Sequence, residues 1–170
     1  MHKVIRLIVY VKDENDAVAS AEGVMQDVCG EGRLYDWYSL FTDNTKNSTS
    51  GIGRWGKLPL VTSANSKIGK ELIDEGWNFT KEETKEALSE LRKKTKDMTD
   101  EDIDKLIKNH DSELEYLAYK VSDEDNTSYL YDNDGTAIRD EDHLNKTLNK
   151  WNNPEYEKLK VYVVPVDVHW

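Results

Sequence analysis

Cysteine is almost missing from this chain, with Cys29 the single example in 170 residues. One thiol can neither close an intrachain disulfide nor supply a cysteine-rich zinc site, so a reducing compartment is expected. Long apolar runs are missing too. No stretch approaches the roughly 20 apolar residues that span a bilayer, and the start, Met1-His2-Lys3-Val4-Ile5-Arg6, lacks the basic region and apolar run of a secretion signal. A cytoplasmic location is the expectation, and the four Asn-x-Ser/Thr tripeptides, at Asn47, Asn78, Asn126 and Asn145, read as coincidence. Positive charge is in deficit: 23 Lys and Arg stand against 34 Asp and Glu, a formal charge of -11. Such a field repels nucleic-acid phosphates and anionic membranes, so neither is an expected partner. Apolar residues make up only 37% and mean hydropathy is -0.80. Nine Tyr, five Trp and two Phe nevertheless supply enough bulk to argue against disorder.

The clearest element is the β-branched run at residues 4–11, nearly continuous in apolar character and therefore central in a sheet. Asp13, Asn15 or Asp16 caps a helix whose Ala17, Val18, Ala21, Val24, Met25 and Val28 form one stripe, closed by Gly30 and Gly32. Residues 34–41 read as a second strand, with Tyr35, Trp37 and Ser39 on one face and Asp36, Tyr38 and Leu40 on the other. Ser66 starts a short helix that Gly76 ends. Thr80-Lys81-Glu82-Glu83 resembles a capping box for another helix, and Thr99-Asp100-Glu101-Asp102 offers a further start. The latter two helices are expected to pack as an antiparallel hairpin. Residues 127–131 read as a strand, Asn133-Asp134-Gly135 as a tight turn returning through Thr136-Ala137-Ile138, and Asp140 as the cap of a helix carrying Leu144, Leu148 and Trp151. Residues 159–170 form the last strand, with Pro165 arguing for an edge or a bulge.

The order β-α-β, insert, β-α-β predicts a ferredoxin-like, four-stranded antiparallel sheet with both helices on one face. Residues 1–42 and 123–170 would build this α+β core, and residues 43–122 a loop plus helical-hairpin insertion. The sheet's other face would stay open for homo-oligomerisation.

Chemical signatures are sparse. The glycine-rich stretch at residues 51–56 lacks the Walker spacing and its Lys-Ser/Thr ending. It reads as a tight turn placing Trp55, with a ligand-contacting loop as the functional alternative: Arg54 on an anion, Trp55 as a stacking wall, Asp36 nearby. Asp132-Asn133-Asp134-Gly135 has Leu130 where a calcium loop needs its first ligand. His2, His110, His143 and His169 form no sequence pair of metal-ligand spacing. His2 and His169 lie on terminal strands that a shared sheet could bring together. Cys29 ends a helix, where the dipole does not favour a thiolate. Asp13, after the first strand, and Asp36, within the second, could meet across neighbouring strands and hold a divalent ion, provided Asp36 points out of the core. Tyr35, Trp37 and Tyr38 could stack on bases, although core packing explains them better. No metal, cofactor or catalytic residue is expected.

Three readings of function follow. The first is a non-enzymatic interaction or adaptor protein, its helical insert presenting Leu106, His110, Asp100, Asp102 and Asp104 to a protein partner or a second copy. The second is a small enzyme with a site at the 51–56 loop. The third is an acidic mimic of a phosphate backbone that occupies a nucleic-acid-binding protein.

Overall fold

A computed structural model describes residues 1–109, 114, 117–118, 121 and 128–169. The described elements are β1 (His2–Val11), α1 (Glu14–Val28), β2 (Trp37–Leu40), α2 (Gly51–Trp55), β3 (Thr62–Ser63), α3 (Lys67–Thr95), α4 (Asp100–Asn109), β4 (Leu130–Tyr131), α5 (Glu141–Leu148) and β5 (Lys160–His169). They make a mixed α+β fold around one open, five-stranded sheet. Among the described residues no helix is long and apolar enough to cross a membrane.

Two long strands carry the sheet. β1 and β5 pair antiparallel from His2 opposite His169 to Val11 opposite Lys160. β4 joins the free edge of β1 in parallel, at Arg6 and Leu7. The far edge of β5 is shared by β2, opposite residues 166–169, and β3, opposite residues 162–163. The resulting order, β2-β5-β1-β4, is of mixed orientation and departs from the ferredoxin-like antiparallel plan. The cause is the turn after β4. Gly135 adopts φ +78 and Tyr131 bridges back to Ala137, so α5 starts from a chain that has already reversed. β5 therefore returns antiparallel to β4, with β1 between them.

Both faces of the sheet are covered over most of the length of β1, which is why it reads as a nearly continuous apolar run. On one face Ile5, Leu7 and Val9 meet Val164, Val166 and Val168 of β5 and the Ala17, Ala21, Val24 and Met25 stripe of α1. On the other, Ile8, Tyr10 and Val163 meet Leu72 and Ile73 of α3, with Leu144, Leu148, Tyr156 and Leu159 packed around them. Each fully buried aliphatic side chain here contributes about 1.5–3 kcal/mol of transfer free energy. The second face, expected open, is thus occupied. Within residues 43–122, β3 enters the sheet and Gly69, Leu72, Ile73, Gly76 and Thr80 of α3 are buried.

Local signals set most helix ends. Asp13 accepts the Asn15 and Asp16 amides, Ser66 accepts Gly69 N–H, and Asp140 accepts His143 N–H. Gly76 and Thr80 behave differently from their sequence reading, since α3 runs unbroken through both. Gly76 is an approach point: a Cβ there would stand 2.7 Å from Leu130 Cδ2 and 3.1 Å from Arg6 Cδ. Thr80 Oγ1 donates to Gly76 O at 2.9 Å and accepts Tyr129 N–H at 3.0 Å, so its hydroxyl ties the helix to the strand edge instead of capping a new helix.

Two glycines in helices predict opposite outcomes. A Cβ on Gly69 would lie 2.1 Å from the Ser63 carbonyl oxygen, whereas one on Gly23 meets nothing within 4 Å. Gly69→Ala is expected to destabilise by about 1–3 kcal/mol despite its better helix propensity, and Gly23→Ala to stabilise by about 0.5–1 kcal/mol. Urea unfolding of the two variants beside the parent checks both signs.

Candidate functional site

The alternation of β1 puts His2, Val4 and Arg6 on the face turned toward α2 and α3, the face shared by Asp167 opposite Val4. Beyond the Ile8 cluster this face is not filled. A cleft of about 310 Å³ opens there, floored by His2, Val4 and Arg6, with Trp55 and Leu58 on one side and Glu75 and Phe79 of α3 on the other. Lys3 and Tyr129 complete its lining at the β4 edge.

Arg6 is the unusual group. It is 4% exposed, and burial lowers the pKa of its guanidinium, with Glu75 working in the opposite direction. Nη1 donates to Val4 O at 2.7 Å and Nη2 to Glu75 Oε2 at 3.2 Å. The third donor, Nε, is buried without a hydrogen-bond partner among the described residues. The Glu75 side chain is 56% exposed, so the ion pair is buried on one side only. The Phe79 ring lies 5.5 Å from the guanidinium carbon and 5.4 Å from the Tyr129 ring. Lys3 is also buried; its Nζ donates to Ser128 O at 3.0 Å and sits 5.0 Å from the Tyr129 ring centre. Tyr129 donates its hydroxyl to Glu83 at 2.7 Å. Burial first, then that hydrogen bond and the charge on Glu83, push its phenol above the ordinary range.

At the other end of the floor stands a His-Asp pair. His2 Nδ1 is 3.1 Å from Oδ1 of Asp167, whose side chain is fully buried. The second carboxylate oxygen accepts Gly51 N–H at 2.9 Å. Gly51 opens α2 with φ +50, a conformation that costs a side-chain-bearing residue about 1–2 kcal/mol, so glycine at this point lets the backbone present its N–H to Asp167. The carboxylate accepts only, which makes Nδ1 the protonated nitrogen of neutral His2 and leaves the lone pair on Nε2.

Of the residues singled out from sequence, Trp55, 43% exposed, lines the cleft. Arg54 beside it is exposed and not part of the lining. Asp36 lies at the end of the sheet, its Oδ2 3.1 Å from His169 Nδ1 and its N–H bonded to His169 O at 2.8 Å. His2 and His169 are indeed neighbours, ring centres 5.0 Å apart, yet each holds its own carboxylate. Trp37 stacks on His169 at 5.6 Å. Tyr35 points the other way from Trp37, into the α1 core, with its hydroxyl 2.7 Å from that of Tyr131. Asp13 and Asp36 lie at opposite ends of β1, roughly 30 Å apart along the strand direction, which removes a shared ion. Among the described residues no group of three or more His, Cys, Asp or Glu is placed to hold a metal. Asp100 and Asp104 are exposed in the first half of α4. Asp102 accepts both N–H and O–H of Thr99, which holds its carboxyl below the usual range. The Leu106 side chain and His110 lie outside the described residues.

Lys3 and Arg6, which line the cleft, carry a signal that the sequence does contain: two cations interrupting a strand that is otherwise apolar through both faces. Apolar periodicity alone passes over it.

Over residues 1–170 the chain matches the profile of a family described as Domain of unknown function (DUF7995), and it belongs to that family. No curated protein and no solved structure matches it.

Two titrations test the local environments. Burial pushes the Cys29 thiol up to about 11, so at pH 8 it should react with a disulfide reagent many times more slowly than the unfolded chain does. Burial likewise pushes Tyr10 up to about 12, and Tyr129 is raised as well. A phenol raised on folding contributes stability that is intact below its unfolded pKa of about 10 and is lost as pH climbs through the folded value. Unfolding curves collected between pH 9 and pH 12 should therefore show falling stability, with a shallower fall in Tyr10→Phe.

Proposed function

We propose that this member of the DUF7995 family binds a small organic anion with a flat apolar portion in the cleft between α2 and α3. The observation that carries the reading is Arg6: a guanidinium 4% exposed, lining the cleft, with a buried Nε donor left without a partner among the described residues. Leaving a buried donor unsatisfied costs about 1–3 kcal/mol, and an acceptor on a ligand would remove that cost. Lys3, held on Ser128 O at the β4 edge, adds positive charge to the surroundings, while Trp55, Phe79 and Tyr129 offer ring faces for an apolar body. A volume of about 310 Å³ lies at the lower end of the range for small-molecule pockets, about 300–1,000 Å³. In a chain of net charge -11, holding an anion requires such locally buried cations.

Calorimetric titration with phenyl phosphate, benzoate and phenylpyruvate tests this reading. Saturable binding is expected for at least one of them, weakened about 10–100-fold in Arg6→Gln by loss of a charged hydrogen bond. Equal affinity in a folded Arg6→Gln variant would refute it.

A second reading, an interaction protein acting through its helices, is favoured by the exposure of Ile68 and Leu88 on α3. Sedimentation of the full chain, alone and as Leu88→Asp, tests the case where the partner is a second copy. A dimer that the substitution dissolves is the expected outcome under this reading.

A further inference from the structure

Resting on the anion-binding reading, we infer that the cleft is a proton-transfer site for 2-oxo acids, with His2 as the base. Three observations converge on it. His2 lines the cleft floor together with Arg6. Its Nδ1 is held at 3.1 Å by Asp167, and that carboxylate is fully buried and fixed from its other oxygen by Gly51 N–H at 2.9 Å. The nitrogen left to a ligand is then Nε2, carrying a lone pair: the arrangement that makes a histidine a directed base, with the buried carboxylate balancing the imidazolium that forms. Finally, Arg6 supplies, in the same cleft, a cation toward which a negative charge would develop.

A 2-oxo acid fits these parts without any co-reactant. Its carboxylate pairs with Arg6, and its side chain lies against Trp55 and Phe79. His2 Nε2 takes a proton from C3. The C–H electron pair becomes the C2–C3 double bond, and the carbonyl π pair moves onto oxygen, where the positive field of Arg6 stabilises the enolate. The imidazolium then returns the proton to that oxygen, giving the enol, or to carbon, restoring the ketone. Atoms and charge balance, and nothing is oxidised. Hydrolysis would further require an acid for the leaving group, and the two remaining polar side chains of the lining, Glu75 and Tyr129, are engaged with Arg6 and Glu83. Asp167 is a positioning residue in this scheme.

The test is wash-in of deuterium at C3 of phenylpyruvate in D2O, followed by proton NMR with the full chain, binding being measured in the same samples by calorimetry. Exchange about 10²-fold above that of free imidazole at equal concentration is expected. It should be abolished in His2→Gln with binding retained. In Asp167→Asn it should fall at least about tenfold in kcat with little change in KM, since tautomer control acts on the proton-transfer step alone. If phenylpyruvate binds and exchange does not exceed the imidazole rate, or if His2→Gln exchanges as fast as the parent, this inference is overturned while the binding reading stands. Absence of binding overturns both.

Discussion

The ladder between β1 and β5 is the constraint on which the molecule depends. Residues opposite each other in an antiparallel pair share a face, so one register decides everything that follows. It sends Ile5, Leu7 and Val9 with Val164, Val166 and Val168 toward α1. It sends His2 and Arg6 with Asp167 toward α2 and α3. A slip of one residue would drive the Asp167 carboxylate into an aliphatic layer and turn valines toward the cleft. The site and the core are therefore two sides of one pairing.

That coupling accounts for the polar groups the core tolerates. Arg6, Lys3 and Asp167 are all buried, and apolar replacements of similar volume would often be neutral or stabilising at such positions. Their partners are only partly sufficient. Asp167 is satisfied at both oxygens by His2 and Gly51, whereas Arg6 keeps an unmatched donor. The unmatched donor belongs to a residue that lines the cleft, and the balanced carboxylate stands at the other end of its floor. Such a division suits a positioned binding group better than a purely structural ion pair.

Much of the fold was legible because its signals are local. The continuous apolar run of β1, the stripe of α1 and the caps at Asp13, Ser66 and Asp140 each depend on neighbours within a few residues. The features that escaped are those whose meaning comes from distant contacts. Gly76 has the chemistry of a helix terminator, yet it serves the close passage of α3 over Leu130 and Arg6. Thr80 has the chemistry of a cap, yet its hydroxyl bonds one turn back and across to Tyr129. The reversal at Gly135 changes the direction in which β5 returns, and no residue count discloses that. Of the site, Trp55 and the meeting of the two terminal histidines could be read from sequence. Lys3, Arg6 and Asp167 could not be weighed there, since their burial depends on what α3 and Tyr129 bring over them.

The same ladder has a consequence for how the chain comes to its shape. His2 and Asp167 meet from 165 positions apart, so the central pairing is of very high contact order and must close a very long loop. During synthesis β1 finds its principal partner only when residues 160–169 leave the ribosome. Until then the edge of a ten-residue strand rich in aliphatic side chains lacks its antiparallel partner, the kind of surface that chaperones shield and aggregates recruit.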